Sequence, residues 1–175
     1  QTLAGVTADG TGAVTLTANG ATSDVALGAT VRSGTGSIAV TAGNNILDTL
    51  AGDLGSGTDT STSNKLNLAT GGNVTLHAGN SIGSTGSGTP DALEVWSGGT
   101  LTSTSNGTTA DAGTYLNLLD TGSGANLAAI SSGKNLDLTS RASTTSGTGK
   151  LTVTGAVQTA NDGYVRLAAD KDVVI

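Results

Sequence analysis

The chain has no cysteine, methionine or phenylalanine, one proline, one histidine and an aromatic fraction of 2%. Without cysteine there is no disulfide framework, which suits a protein that stays unfolded until it is exported. With so few large side chains, any core must come from Val, Leu, Ile and Ala, and so thin a core suits an elongated fold. The single His77 has no second histidine with which to complete a metal site, and strand phase turns it outward. Charge is sparse as well, at 11% of residues. The basic residues stand singly at Arg32, Lys65, Lys134, Arg141, Lys150, Arg166 and Lys171, so no stripe neutralises phosphates and nucleic acid is not an expected partner. No apolar run approaches the ~18 residues of a membrane span, so insertion into a bilayer is not expected.

What the chain does have is Gly, 28 times, together with Thr, Ser and short apolar pairs. Val14-Thr-Leu, Ile38-Ala-Val, Leu66-Asn-Leu, Val74-Thr-Leu, Leu93-Glu-Val, Leu116-Asn-Leu, Leu136-Asp-Leu, Leu151-Thr-Val and Val165-Arg-Leu each place two apolar side chains on one face of a strand. No helical period is sustained. Residues 37–48, SIAVTAGNNILD, restate a plan repeated at 73–84, NVTLHAGNSIGS: a strand, a Gly and Asn corner, and an apolar residue turned back inward. Strand positions return after about 14 to 28 residues, centred near 20, a solenoid-like period. The expected fold is all-β: a right-handed parallel β-helix, with roughly eight coils of about 20 residues stacked into a rod about 40 Å long. Residues 1–175 are read as one repeat segment, with loops at 47–63, 83–91, 104–113 and 141–149.

The lines GGNVTLHAGNSI and GSIAVTAGNNI resemble the degenerate repeats of filamentous-haemagglutinin-like adhesins, the large β-helical surface proteins of Gram-negative bacteria. The resemblance extends loosely over the whole chain. It implies a shaft segment, exported by a two-partner or autotransporter route to the extracellular face of the cell. The secretion domain of that family carries Asn-Pro-Asn, whereas the only proline here, Pro90, stands in Thr-Pro-Asp.

Several residues invite a functional reading. Asp170 and Asp172 alternate around Lys171, and Asp137 and Glu94 take polar strand positions expected to be outward and solvated; none forms a compact acid and base pair, so catalysis is not expected. Asp53-Leu-Gly-Ser-Gly-Thr-Asp59 is a partial match to a calcium-binding repeat, but the position expected to be a large apolar residue is Ser61, and a solvated turn is the plainer reading. Trp96 falls on the outer face beside Glu94, where with Tyr115 it could stack on a sugar; the alternative is a ring folded over a neighbouring coil or loop 104–113. Tyr164 reads as a similar cover. Thr-x-Thr pairs such as Thr15 and Thr17 raise ice binding, but that needs an uninterrupted hydroxyl array, which irregular coil lengths and Asn, Asp, Arg and His at equivalent positions break; Thr is simply a good outward strand residue.

The expected function is a non-enzymatic structural segment of an extracellular bacterial filament or adhesin, with no cofactor. The alternative is a glycan or host-surface binding module. Both ends are read as cuts in, or processed ends of, a longer polypeptide. Stacking is expected through Leu3 and Val6 at one end and Val173, Val174 and Ile175 at the other, either between copies or as continuation of one β-helix.

Overall fold

A computed structural model describes residues 5–85, 91–144 and 146–175. Leu3, Pro90 and residues 86–89 of the 83–91 segment lie outside the described residues. In chain order the strands are β1 (Val6–Ala8), β2 (Val14–Ala18), β3 (Val25–Leu27), β4 (Val31–Ser33), β5 (Ile38–Ala42), β6 (Ile46–Asp48), β7 (Leu68–Thr70), β8 (Val74–Ala78) and β9 (Leu93–Ser97). They continue as β10 (Leu101–Ser105), β11 (Gly113–Asp120), β12 (Ala125–Ser132), β13 (Asn135–Ala142), β14 (Leu151–Val153), β15 (Val157–Thr159), β16 (Val165–Ala169) and β17 (Val173–Val174). No helix occurs among the described residues.

Among the described residues every strand pairing is parallel. The first sheet has seven strands in the order β1-β4-β7-β9-β11-β13-β16, and the second runs β17-β14-β12-β10-β8-β5-β2 with β15 also pairing on β12. A short third face is made by β3 and β6, continued by the single bridges Ile46↔Ile82 and Ile82↔Thr114. In the first part of the chain, successive strands visit the first sheet, the second and the third face in turn, a circuit consistent with a parallel β-helix or solenoid-like fold. Partners in the first sheet lie 22 to 37 positions apart, from Leu118↔Ser140 to Val31↔Leu68. The circuit is thus longer than the expected repeat of about 20 residues. Its longest interval contains the excursion between β6 and β7.

Register stacks like on like. Val14, Ile38, Val74, Leu101 and Leu127 are successive partners across the second sheet, as are Leu16, Val40 and Leu76 beside them. On the first sheet Leu93, Leu116, Leu138 and Leu167 form a ladder. These inward rows supply most of the main core, in which Ile38, Val74, Leu93, Leu127, Leu136 and Leu138 are fully buried. Two inward side chains per short strand suffice because each is covered by its counterparts in the adjacent circuits.

The repeated phrase is explained at the corner that follows β5 and β8. The expected reason for its glycine, a positive φ, is not the operative one: Gly43 and Gly79 are absent from the positive-φ residues, which include Gly10, Gly57 and Gly83. What excludes a side chain is the stacking distance. A Cβ on Gly43 would stand 1.9 Å from the Gly20 carbonyl oxygen, and one on Gly79 would stand 1.9 Å from that of Gly43. The polar residues beside them form a ladder of their own rather than taking left-handed geometry. Asp24 Oδ1 accepts from the Asn45 backbone N–H and from Asn44 Nδ2, both at 2.9 Å. Asn45 Oδ1 in turn accepts from Asn80 Nδ2 at 2.9 Å and the Ser81 N–H at 3.1 Å. Each corner side chain therefore satisfies backbone donors of the next circuit.

The loops start later than expected where strands run on: β6 occupies 46–48, β10 reaches Ser105 and β13 reaches Ala142. The 141–149 segment is organised by Asp120, which accepts from the backbone N–H groups of Gly122, Gly124, Thr148 and Lys150 and from Thr148 Oγ1. Burial alone would raise its pKa, but these bonds hold it below the ordinary carboxylate range.

Substituting Gly43→Ala forces the Gly20 and Gly43 backbones apart and is expected to lower unfolding free energy by about 2–3 kcal/mol, read from the urea midpoint. At Gly10, whose Cβ would meet nothing within 4 Å, the same change should cost only the left-handed strain of about 1–2 kcal/mol.

Candidate functional site

Alternation along β9 sends Leu93 and Val95 into the main core and turns Glu94 and Trp96 to the opposite face. That face is not open. The excursion between β6 and β7 lays Leu54 and Leu66 against Ala69 of β7 and Leu119 of β11, forming a second apolar cluster with Trp96 packed on it. Trp96 is half-buried, and its indole Nε1–H donates to Thr121 Oγ1 at 3.1 Å. The ring therefore lies over neighbouring circuits, against the cluster of Leu54, Leu66, Ala69 and Leu119 and tied to Thr121.

The expectation of a solvated Glu94 is corrected by this cover: the residue is 0% exposed. Strand alternation chooses the face of a side chain, whereas solvation depends on a loop that returns over that face. Glu94 sits in a polar row with asparagines on either side. Its N–H donates to Asn67 Oδ1 at 2.7 Å, and its Oε1 accepts from Asn117 Nδ2 at 3.1 Å. Asn67 also donates through Nδ2 to Asp48 Oδ1 and to the Leu27 carbonyl.

Asp48, at the end of β6, and Asp91, two residues before β9, complete the site. Each of Asp48, Asp91 and Glu94 offers a carboxylate oxygen, and these oxygens all lie within 4.8 Å of one another in a fully buried setting. Burial, followed by the charges of Asp48 and Asp91 and a hydrogen bond to Asp48, pushes Glu94 up to about 9, against the opposing bond from Asn117. At the rim, Asp53 is also raised, chiefly by a hydrogen bond to Asp91 and by burial. Such a cluster can hold a shared proton or a hard cation.

The sequence reading named Glu94 but missed Asp48 and Asp91. Their only signal was position, one at the mouth of each of two Gly, Ser and Thr-rich segments. Asp53 and Asp59, the two acids of the partial calcium-repeat match, have different partners, Asp53 interacting with Asp91. Asp59 is a turn organiser that accepts from the Gly55 N–H at 2.7 Å, Ser63 Oγ at 3.0 Å and Lys65 Nζ at 3.3 Å. Asp170 and Asp172 do not share a strand but lie in the turn between β16 and β17, with Asp170 bonded to Arg141. Asp137 pairs with Arg166 at 2.6 Å.

Tyr115 is not an exposed platform. It is 2% exposed, and its hydroxyl donates toward the Asp111 and Ala112 carbonyls and accepts from Asn135 Nδ2. The structure brings Tyr115 together with Tyr164, at one side of a groove of about 310 Å³ lined also by Asn117, Asp137, Thr139 and Arg166. Trp96 is not part of it. His77 is exposed in an outward row of the second sheet that reads Thr17, Thr41, His77, Thr104, Ser131. Compared with known proteins, the chain matches no family model, no curated protein and no solved structure.

The Glu94 environment makes stability pH-dependent. An unfolded chain releases this proton near the ordinary value of 4.5, whereas the folded chain keeps it until about 9. The native state thus binds more protons inside that window, and its stability falls as pH rises through it. The groups facing Glu94 are Asp48 and Asp91, with Asp53 and Lys65 behind them. In chelator-treated buffer, the unfolding free energy of Glu94→Gln relative to the parent chain should climb from about pH 5 to about pH 8, at up to about 1.4 kcal/mol per unit. Parallel pH profiles for the two proteins would remove Glu94 as the source.

Proposed function

We propose that this chain is a non-enzymatic structural segment of an extracellular bacterial filament or adhesin, a right-handed parallel β-helix whose circuits stack into a rigid fibre. The observation that carries this reading is the state of the outermost strands. β1 and β16 bound the first sheet and β2 and β17 bound the second, each with one edge turned away from its sheet. Val6 is 44% exposed there, Val173 and Val174 are each 41% exposed, and Ile175 is 93% exposed. Apolar strands with free edges are templates for another strand of the same kind. In a fibre those rungs are covered by a further circuit, of an adjoining copy or of the same polypeptide. The right hand follows from the strong preference of parallel crossovers. The extracellular and bacterial parts of the reading rest on the resemblance of GGNVTLHAGNSI to adhesin repeats.

Negative-stain electron microscopy across a dilution series tests the stacking. Regular filaments that shorten on dilution, and that Val174→Lys abolishes, are the expected result. Isolated short rods at every concentration would rule out polymerisation between copies.

A second reading is favoured by the groove on the outer face of the first sheet. Tyr164, 47% exposed, supplies an aromatic face beside the Asp137–Arg166 pair, Asn117 and Thr139, a combination suited to sugar hydroxyls. On a glycan array, binding lost in both Tyr164→Ala and Arg166→Ala would support this adhesin role; an array without a hit, or binding unchanged in both variants, would remove it.

A further inference from the structure

We propose that Asp48, Asp91 and Glu94 form a binding site for one calcium-class divalent cation, which clamps the excursion between β6 and β7 onto the first sheet. This goes beyond the structural role above and stands independently of it.

The spacing is the first ground. Two ligands on opposite sides of a calcium ion, each about 2.3–2.6 Å from it, are about 5 Å apart. The three carboxylate oxygens, all within 4.8 Å of one another, can therefore be reached by a single ion. The donors are all hard oxygens, a set that suits calcium or magnesium rather than zinc or copper. The wider span and multiple carboxylates favour calcium over the smaller, more strongly hydrated magnesium.

A second, separate ground is the hydrogen-bond account. Asp48 is 1% exposed and Glu94 is 0% exposed, yet among the described residues no N–H or hydroxyl donor reaches Asp48 Oδ2 or Glu94 Oε2, which have only each other's carboxyl group to face. The other oxygen of each is engaged, Asp48 Oδ1 by the Leu50 N–H and Asn67 Nδ2, and Glu94 Oε1 by Asn117 Nδ2. The two carboxyl groups face each other closely enough to interact directly. Buried acceptors aimed at one another need either a donor or a cation between them. The basic side chains nearby are committed elsewhere. Lys65 pairs with Asp59, and Arg32 donates to the carbonyls of Ser61 and Ser63. Among the described residues, no ion pair involves Asp48 or Glu94.

The placement gives the ion a task. Asp48 is where the chain leaves the third face for its longest excursion, and Asp91 and Glu94 are where the next circuit re-enters the first sheet. An ion held among them ties two consecutive circuits beneath the apolar cover of Leu54 and Leu66.

The test uses the full chain stripped with a chelator, then titrated with calcium chloride, magnesium chloride or terbium chloride. Calorimetry should show one saturable calcium site, and the melting temperature should rise by about 5 °C at a hundredfold excess over Kd. Terbium emission should be sensitised by Trp96, the only tryptophan, which stands two residues from Glu94 on the same face. Both effects should be lost in Glu94→Gln and in Asp48→Asn, each checked for its β-sheet circular dichroism, and retained in Asp111→Asn, an exposed acid outside the cluster. Absence of calcium uptake and of sensitised terbium emission by the parent chain overturns the proposal and leaves a shared proton. Calcium stabilisation undiminished in the folded Glu94→Gln and Asp48→Asn variants also overturns it, by placing the ion elsewhere. The terbium signal of the parent chain decides the matter even if both variants fail to fold.

Discussion

In-register parallel pairing is the constraint from which the other features follow. Each backbone group of one circuit is matched to the same position of the next, so whatever side chain stands at a position must tolerate its counterparts directly above and below. Apolar rows satisfy this by packing Val on Ile on Val, as along Val14, Ile38 and Val74. Polar corner rows satisfy it by passing an acceptor from one circuit to donors of the next, as from Asp24 to Asn45 and from Asn45 to Ser81. Where a backbone carbonyl of the adjacent circuit comes too close for a Cβ, glycine stands, as at Gly43 over Gly20 and Gly79 over Gly43.

The same constraint explains why so little apolar mass holds the chain together. A strand with two inward side chains could not stand alone, but each inward residue is sandwiched between neighbours and contributes to two interfaces. It also explains why the outermost strands differ from the rest: their rungs have one neighbour and remain exposed, as Val6 and Val174 do. The fibre reading and the fold thus share one physical origin.

The buried carboxylates depart from this economy. A repeat fold gains from uniform rows, and the row Asn67, Glu94, Asn117 interrupts the first sheet with an ionisable residue beneath a loop. Its neighbours do not neutralise it; Asp48 and Asp91 add charge of the same sign. Three acids in one dry place are unfavourable without a proton or a cation. The Trp96 cluster gives the excursion an apolar grip on the sheet, and the acids beneath it set a chemical condition on that grip.

Alternation and corner residues by themselves determined the strands. Ile38-Ala-Val, Val74-Thr-Leu and Leu93-Glu-Val each lie in a strand with the expected inward pair, because the period of two is a property of the backbone and needs no distant partner. They also marked Gly43 and Asn45 as corner residues, though for the wrong reason, since close approach between circuits is invisible in one segment. What only tertiary structure decided is which strands became neighbours, and therefore what covers each outward face. Glu94 and Tyr115 read as solvated or exposed until the 47–63 segment and the 111–112 turn are placed over or beside them. Asp48 and Asp91 are 43 positions apart, from 48 to 91, and nothing local links them. Parallel stacking converts that separation into a few ångströms, because the register of the sheet, rather than distance along the chain, sets which residues meet.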